Sequence, residues 1–161
     1  MKKTADICDE LKGVEACVVA MRCWGRRRAF FGHIRTVKCH RDYGLVRQVL
    51  DTDGKGQVLV VDGGGVLDRA IFGDMMAARA VKNGWSGVVI HGAIRDAAEI
   101  DSMDIGVFAP GTAPMRGEAR GVGELDIPVT FGNATFLPGR LLVADADGII
   151  VCPSGDLKIL G

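Results

Sequence analysis

The chain has 161 residues, 48% of them apolar and 25% charged, which is enough for one compact domain with a sizeable core and too little for two. Lys plus Arg and Asp plus Glu stand at 20 each, so no net field points to nucleic acid or to a membrane surface, and any anionic substrate must be drawn in by local charge. There is no run of 18 apolar residues and no apolar leader after Lys3, and the five cysteines are scattered without metal-binding spacing, so the expectation is a cytoplasmic protein with reduced thiols.

Thr4 to Lys12 predicts a short amphipathic helix, with Thr4 as the capping residue, Ile7 and Leu11 four apart, and Gly13 as the stop. Residues 15–23 are apolar and fit either a helix or a strand. Phe30 to Cys39 alternates as a strand, with Phe31, His33 and Arg35 on one face and Gly32, Ile34 and Thr36 on the other. Leu45, Val46, Val49 and Leu50 follow helical spacing up to a turn at Asp53-Gly54-Lys55-Gly56. Gln57 to Val61 is a continuous β-branched run of the kind buried on both faces, and it stops at Asp62-Gly63-Gly64-Gly65. Met75 to Asn83 predicts a helix closed by Gly84, Gly87 to His91 a second buried strand, and Asp96 to Met103 a short helix. The β–α–β order over 57–91 implies a parallel pair with a right-handed crossover. Beyond about residue 105, short strands are expected between Gly and Pro at 105–109, 126–131, 134–136, 140–144 and 148–152. The fold class is therefore α/β, one domain with a parallel β–α–β unit and a β-rich C-terminal half.

Several motifs fail. Asp62 to Asp68 follows a strand, but Asp68 stands where a dinucleotide fingerprint needs its third glycine. Gly54-Lys55-Gly56 lacks P-loop spacing, and Ser86 and Ser154 have no elbow motif around them. Arg26-Arg27-Arg28 reads as a solvated turn, or as help for an anionic ligand or a subunit contact. His33 and His40 have no ligand-spaced partners; His91, at a strand end four residues before Arg95, is a candidate to line a site.

Asp74 opens the longer helix, and Arg95-Asp96 follows the strand that ends at His91. Ligands of open α/β sheets bind beyond the carboxyl ends of parallel strands, where these three residues can meet. A plainer account also fits the spacing: Asp96-Ala97-Ala98-Glu99 reads as a capping box and Asp74 as the N-cap of its own helix. That account leaves Arg95, a large cation between a buried strand and a helix start, unexplained.

The segments Val58 to Gly65, Gly73-Asp74-Met75-Met76, Asn83 to Gly87 and Gly92-Ala93-Ile94-Arg95-Asp96 resemble the RraA-like proteins, which group with the class II 4-hydroxy-4-methyl-2-oxoglutarate aldolases. Phe30-Phe31-Gly32, Thr36 to Cys39, Val129 to Gly132 and Ala144 to Ile150 extend the resemblance over nearly the whole chain. It implies a single swivelling β/β/α-type domain over residues 1–161 and a homotrimer with the site near a subunit boundary. It also implies a lyase that forms pyruvate from 4-hydroxy-4-methyl-2-oxoglutarate or oxaloacetate through an enolate. Asp96 would be the ligand of a divalent cation, Mg²⁺ or Mn²⁺, and Arg95 would face the substrate's carboxylate and developing enolate. Gly73, Asp74, Met75 and Met76 would contact substrate, with Asp74 holding the water that shuttles the proton. Members acting as ribonuclease regulators tend to lack the Asp after the Arg, and Asp96 is present here, which favours the enzyme. The alternative is a non-catalytic regulator with a ribonuclease as partner. A third label attached to relatives, a methyltransferase, finds no cofactor-binding glycine motif. Glu118 and Glu124 are acidic candidates in the Gly-rich stretch 117–124 for a ligand given to a neighbouring subunit, on charge alone.

Overall fold

A strand that is apolar at every position needs cover on both faces, and the runs at 58–61 and 87–90 find it at the centre of the sheet. The computed structural model describes residues 1–161. Helix α1 (Thr4–Glu10) is followed by strands β1 (Glu15–Cys17), β2 (Arg22–Trp24) and β3 (Phe30–Lys38). Next come α2 (Gly44–Leu50), β4 (Gln57–Asp62), α3 (Asp74–Lys82) and β5 (Gly87–His91). The chain continues through β6 (Ala93–Ile94), α4 (Ala97–Asp101), β7 (Val107–Ala109), β8 (Gly111–Thr112) and β9 (Glu124–Leu125). It closes with β10 (Val129–Phe131), β11 (Ala134–Phe136), β12 (Leu141–Asp145), β13 (Gly148–Val151) and a 3₁₀ turn at Leu157–Leu160.

The main sheet runs β1-β13-β12-β3-β4-β5-β7-β2, with β9 also pairing β3. β3, β4, β5 and β7 are mutually parallel, as the β–α–β order requires, and antiparallel strands flank them on both sides. Alternation along β4 divides the interior: Leu59 and Val61 join the cluster under α2, α3 and α4, while Val58 and Val60 join a second cluster beneath the β10–β11 hairpin. Gly87 belongs in a buried strand because the Phe30 ring occupies the space of its side chain; a Cβ there would lie 2.4 Å from that ring. No helix is long and apolar enough to cross a membrane.

Three sequence expectations change. Residues 15–23 are two short strands, on opposite edges of the sheet. Thr4 is not the cap of α1 but lies inside it, and the capping carboxylate comes from across the fold: Asp145 accepts the Thr4 N–H and hydroxyl, each at 2.8 Å. Burial alone would raise the Asp145 carboxyl, but these donors and the Asp147 and Gly148 N–H groups outweigh it and hold it below its ordinary range. The arginine run is exposed at Arg26 and Arg28, as a solvated turn would be, but it is also tied down by pairing. Arg27 donates to the Ser86 carbonyl at 3.0 Å and pairs with Asp104 at 3.3 Å, while Arg28 pairs with Asp101 at 3.5 Å.

Candidate functional site

The site rests on a backbone ladder beyond the main sheet. After β4 the chain passes Gly63 to Gly73 before α3 begins, and after β5 it turns into β6. These two returns are zipped together: the Ile71 N–H donates to Ala93 O and the Arg95 N–H to Phe72 O, both at 3.0 Å. The segment around β8 joins from the other side, with the Ala113 N–H on Ile94 O at 2.9 Å and the Ala70 N–H on Met115 O at 2.7 Å. Pairs separated by 19 to 45 positions are thereby set side by side, and the start of α3 faces Arg95 and Asp96.

Asp96 has φ 58° and ψ 39°, the left-handed region, which costs a non-glycine residue roughly 1–2 kcal/mol. Its side chain makes no capping bond to α4. One oxygen, Oδ2, instead accepts the Asp74 N–H at 3.2 Å, across the cleft at the first turn of α3. The capping-box account of Asp96 therefore fails. The N-cap account of Asp74 fails too, since Gly73 holds that position and Asp74 is the first helical residue. Gly73 is needed where it stands: a Cβ would lie 2.9 Å from Asp96 Oδ2 and 3.6 Å from Arg95 Cγ.

Burial, the adjoining Asp96 carboxyl and, more distantly, Glu99 push the Asp74 carboxyl above its ordinary value, with the Met75 N–H opposing them. The two crowded carboxylates are oxygen donors of the kind hard divalent ions take. No group of three or more His, Cys, Asp or Glu is placed to hold a metal ion by itself, and the acidic residues lining this cleft are Asp74 and Asp96.

The cleft holds about 250 Å³ and brings together all the residues singled out in the sequence: Gly73, Asp74, Met75, Met76, Arg95 and Asp96. It adds Tyr43 and Arg47 from α2 and its entry, Arg79 from α3, and Arg116 from beyond β8, which the sequence did not single out. Arg79 had a usable signal, one helical turn and a residue after Asp74; Arg47 and Arg116 had none. Arg79 is paired with Asp51 at 2.6 Å, and Arg47 lies over the Tyr43 ring at 5.5 Å. His91 does not line the cleft: its ring stacks on Phe131 at 4.6 Å, beside the second core cluster, and its Nδ1 is 3.5 Å from Asp62. Glu118 and Glu124 lie outside the cleft as well.

One acidic residue organises the cleft's surroundings. Asp42, buried just before α2, accepts the N–H of Gly44 at 2.8 Å, of Arg120 and Gly121 at 3.1 Å, and of Val122 at 3.4 Å. Burial acts to raise this carboxyl, and the four donors prevail and hold it below the usual range. Asp42 thus ties the loop after Arg116 to the helix that carries Arg47.

Residues 4–151 match the family described as RraA-like: Aldolase/RraA. The chain belongs to the RraA-like family. A relative from Azotobacter vinelandii, provisionally named a 4-hydroxy-4-methyl-2-oxoglutarate aldolase, is 51% identical over 151 residues, 93% of each chain. Among solved structures, an S-adenosylmethionine:2-dimethylmenaquinone methyltransferase from Geobacillus kaustophilus superposes with a TM-score of 0.94 at 43% identity, covering 97% of both chains. The RNA-processing inhibitor RraA from Thermus thermophilis superposes with a TM-score of 0.93 at 40% identity, over 96% of this chain and 94% of that one. Three different functional names thus attach to one RraA-like fold, and the site has to separate them.

Proposed function

We propose that this RraA-like protein is a divalent-cation-dependent lyase that releases pyruvate from 4-hydroxy-4-methyl-2-oxoglutarate and from oxaloacetate. The observation that carries the reading is Asp96: it adopts a strained backbone, gives up capping its own helix, and turns its carboxylate toward Asp74 in a cleft beside Arg95. Asp96, with Asp74 adjoining, would hold Mg²⁺ or Mn²⁺, and that ion supplies Lewis-acid stabilisation of the charge that develops on the 2-oxo oxygen. Arg95 pairs its planar fork with the substrate carboxylate and the same developing charge. The first turn of α3, from Gly73 to Met76, offers backbone N–H groups suited to a carboxylate. Asp74 would hold the water that takes the proton from the 4-hydroxyl as the C3–C4 bond breaks and returns it to C3 of the pyruvate enolate; with oxaloacetate the proton for C3 comes from that water itself. The provisional aldolase name of the Azotobacter relative supports the same reading.

The reading includes a homotrimer with the cleft at a subunit boundary. Met75 and Met115, 71% and 58% exposed near the cleft, are apolar surface that a neighbouring subunit would cover. Likeness to the Thermus RNA-processing inhibitor favours a second reading, a regulator that binds a ribonuclease without needing a cation. The deciding experiment is pyruvate release from both substrates with Mg²⁺ and with EDTA, for wild type, Asp96→Ala and Arg95→Ala. Cation-dependent turnover lost in both variants is expected. Wild-type release no faster than the cation-only background would reject the lyase and leave the regulator.

A further inference from the structure

We propose that Arg47, assisted by Arg116, binds the far carboxylate of a dicarboxylic 2-oxo acid and makes the cleft selective for dianionic substrates. The inference rests on the lyase reading for one point, that the reacting carbon lies at the Arg95–Asp96 end.

Four guanidinium groups line this small cleft, and they are not equivalent. Arg79 is neutralised by Asp51 at 2.6 Å. Arg95 adjoins Gly73 and Asp96 and belongs to the reacting end. Arg47 and Arg116 have no carboxylate within 4.0 Å, whereas seven other Lys and Arg side chains in the fold do. Arg47 is half-buried, and a guanidinium so placed without a counter-charge is unfavourable unless a ligand supplies one; Arg116 is exposed and solvated.

The Arg47 side chain and the Arg116 backbone are also held in place. Arg47 packs over the Tyr43 ring at 5.5 Å, which orients its planar fork without consuming its charge. Arg116 sits between two anchored residues: the Ala70 N–H donates to Met115 O at 2.7 Å, and the Gly117 N–H donates to Ala70 O at 2.9 Å. They enter the cleft on elements other than the turn that carries Arg95 and Asp96: Arg47 on α2, and Arg116 on the segment beyond β8, which runs beside Arg95, whose guanidinium donates to Pro114 O at 3.4 Å. The cleft thus combines two carboxylates and Arg95, matched to a cation and a 2-oxo acid head, with two further unpaired cations, matched to a second carboxylate. A volume of about 250 Å³ suits a small metabolite and is below the range typical of drug-sized ligands.

The test compares wild type with Arg47→Met, which keeps an apolar stem against Tyr43, and with Arg116→Met. Turnover of 4-hydroxy-4-methyl-2-oxoglutarate is set against 4-hydroxy-2-oxopentanoate, which has the same head and no far carboxylate. Arg47→Met is expected to lose roughly 10- to 100-fold in kcat/KM on the dicarboxylate, chiefly through KM, and to be unchanged on the monocarboxylate. Arg116→Met should show a smaller loss with the same selectivity. Equal losses on both substrates, or none, would overturn the proposal. Calorimetric binding of 2-oxoglutarate and 2-oxobutyrate, with Mg²⁺ present, gives a second readout independent of turnover. If wild type cleaves nothing but binds 2-oxoglutarate more tightly than Arg47→Met does, the dicarboxylate site stands and the lyase reading falls. Equal 2-oxoglutarate affinity in wild type and variant rejects the site whatever the turnover.

Discussion

Removing the Asp42 carboxylate should loosen the wall of the cleft and weaken the fold at once. Hydrogen bonds to a charged acceptor contribute about 1.5–3 kcal/mol each in favourable cases. Asp42 accepts four, but Arg120, Gly121 and Val122 lie on an exposed loop whose N–H groups regain water when the carboxylate is gone. Counting the equivalent of two full bonds, Asp42→Ala is expected to lose about 3–6 kcal/mol, a large part of an ordinary domain's stability. Asp42→Asn should recover about half of that. Its Oδ1 still accepts from Gly44 and Gly121, while an amide NH₂ at the other position opposes the N–H groups of Arg120 and Val122. The assay is urea unfolding followed by the fluorescence of Trp24 and Trp85, both buried.

The pH dependence has a definite sign. Because the folded carboxyl is held below its unfolded value, its contribution is complete above the ordinary carboxylate range and is lost as pH falls through the lower folded value. The gap between wild type and Asp42→Asn should therefore be constant near neutrality and close in acid. An Asp42→Ala protein within 1 kcal/mol of wild type, or a gap indifferent to acid, would refute the reasoning.

Other outcomes follow from the cleft itself. Asp74→Asn removes a carboxyl disfavoured by burial and by Asp96, so in EDTA it should not lower stability, while pyruvate release falls at least 100-fold. Thermal unfolding beside the turnover assay measures both, and a destabilised variant would mean the two carboxyls do not repel. Gly73 has φ −146° and ψ −170°, which alanine also adopts, so Gly73→Ala should fold within about 1 kcal/mol of wild type. Its Cβ displaces Asp96 Oδ2, and kcat/KM should fall by about 100-fold; unchanged kinetics would show that Asp96 has freedom to move.

The amino-acid sequence by itself determined the centre of the fold. Val58 to Val61 and Gly87 to Ile90 were legible as strands because burial on both faces demands apolar residues at every position. α2 and α3 were legible because one face of each is buried at helical spacing, through Leu45, Val46, Val49 and Leu50 in the first and Met76, Ala77 and Ala80 in the second. Gly73 to Met76, Arg95 and Asp96 stood out through resemblance, and the structure gathers them into one cleft. Strands such as Ala93–Ile94, Gly111–Thr112 and Glu124–Leu125 were not legible, since two residues carry no periodicity and only a partner makes them a strand. Asp96 shows the limit most clearly. Its local sequence fits a capping box as well as any, and nothing nearby forbids one. What decides against it is the pairing of Arg95 with Phe72 and of Ala113 with Ile94, which delivers the chain to Asp96 with a left-handed backbone. The same ladder and the buried carboxylate of Asp42 bring Arg47 and Arg116 to the cleft from 69 positions apart. Contacts of that range depend on the packed backbone, and no short stretch of sequence contains them.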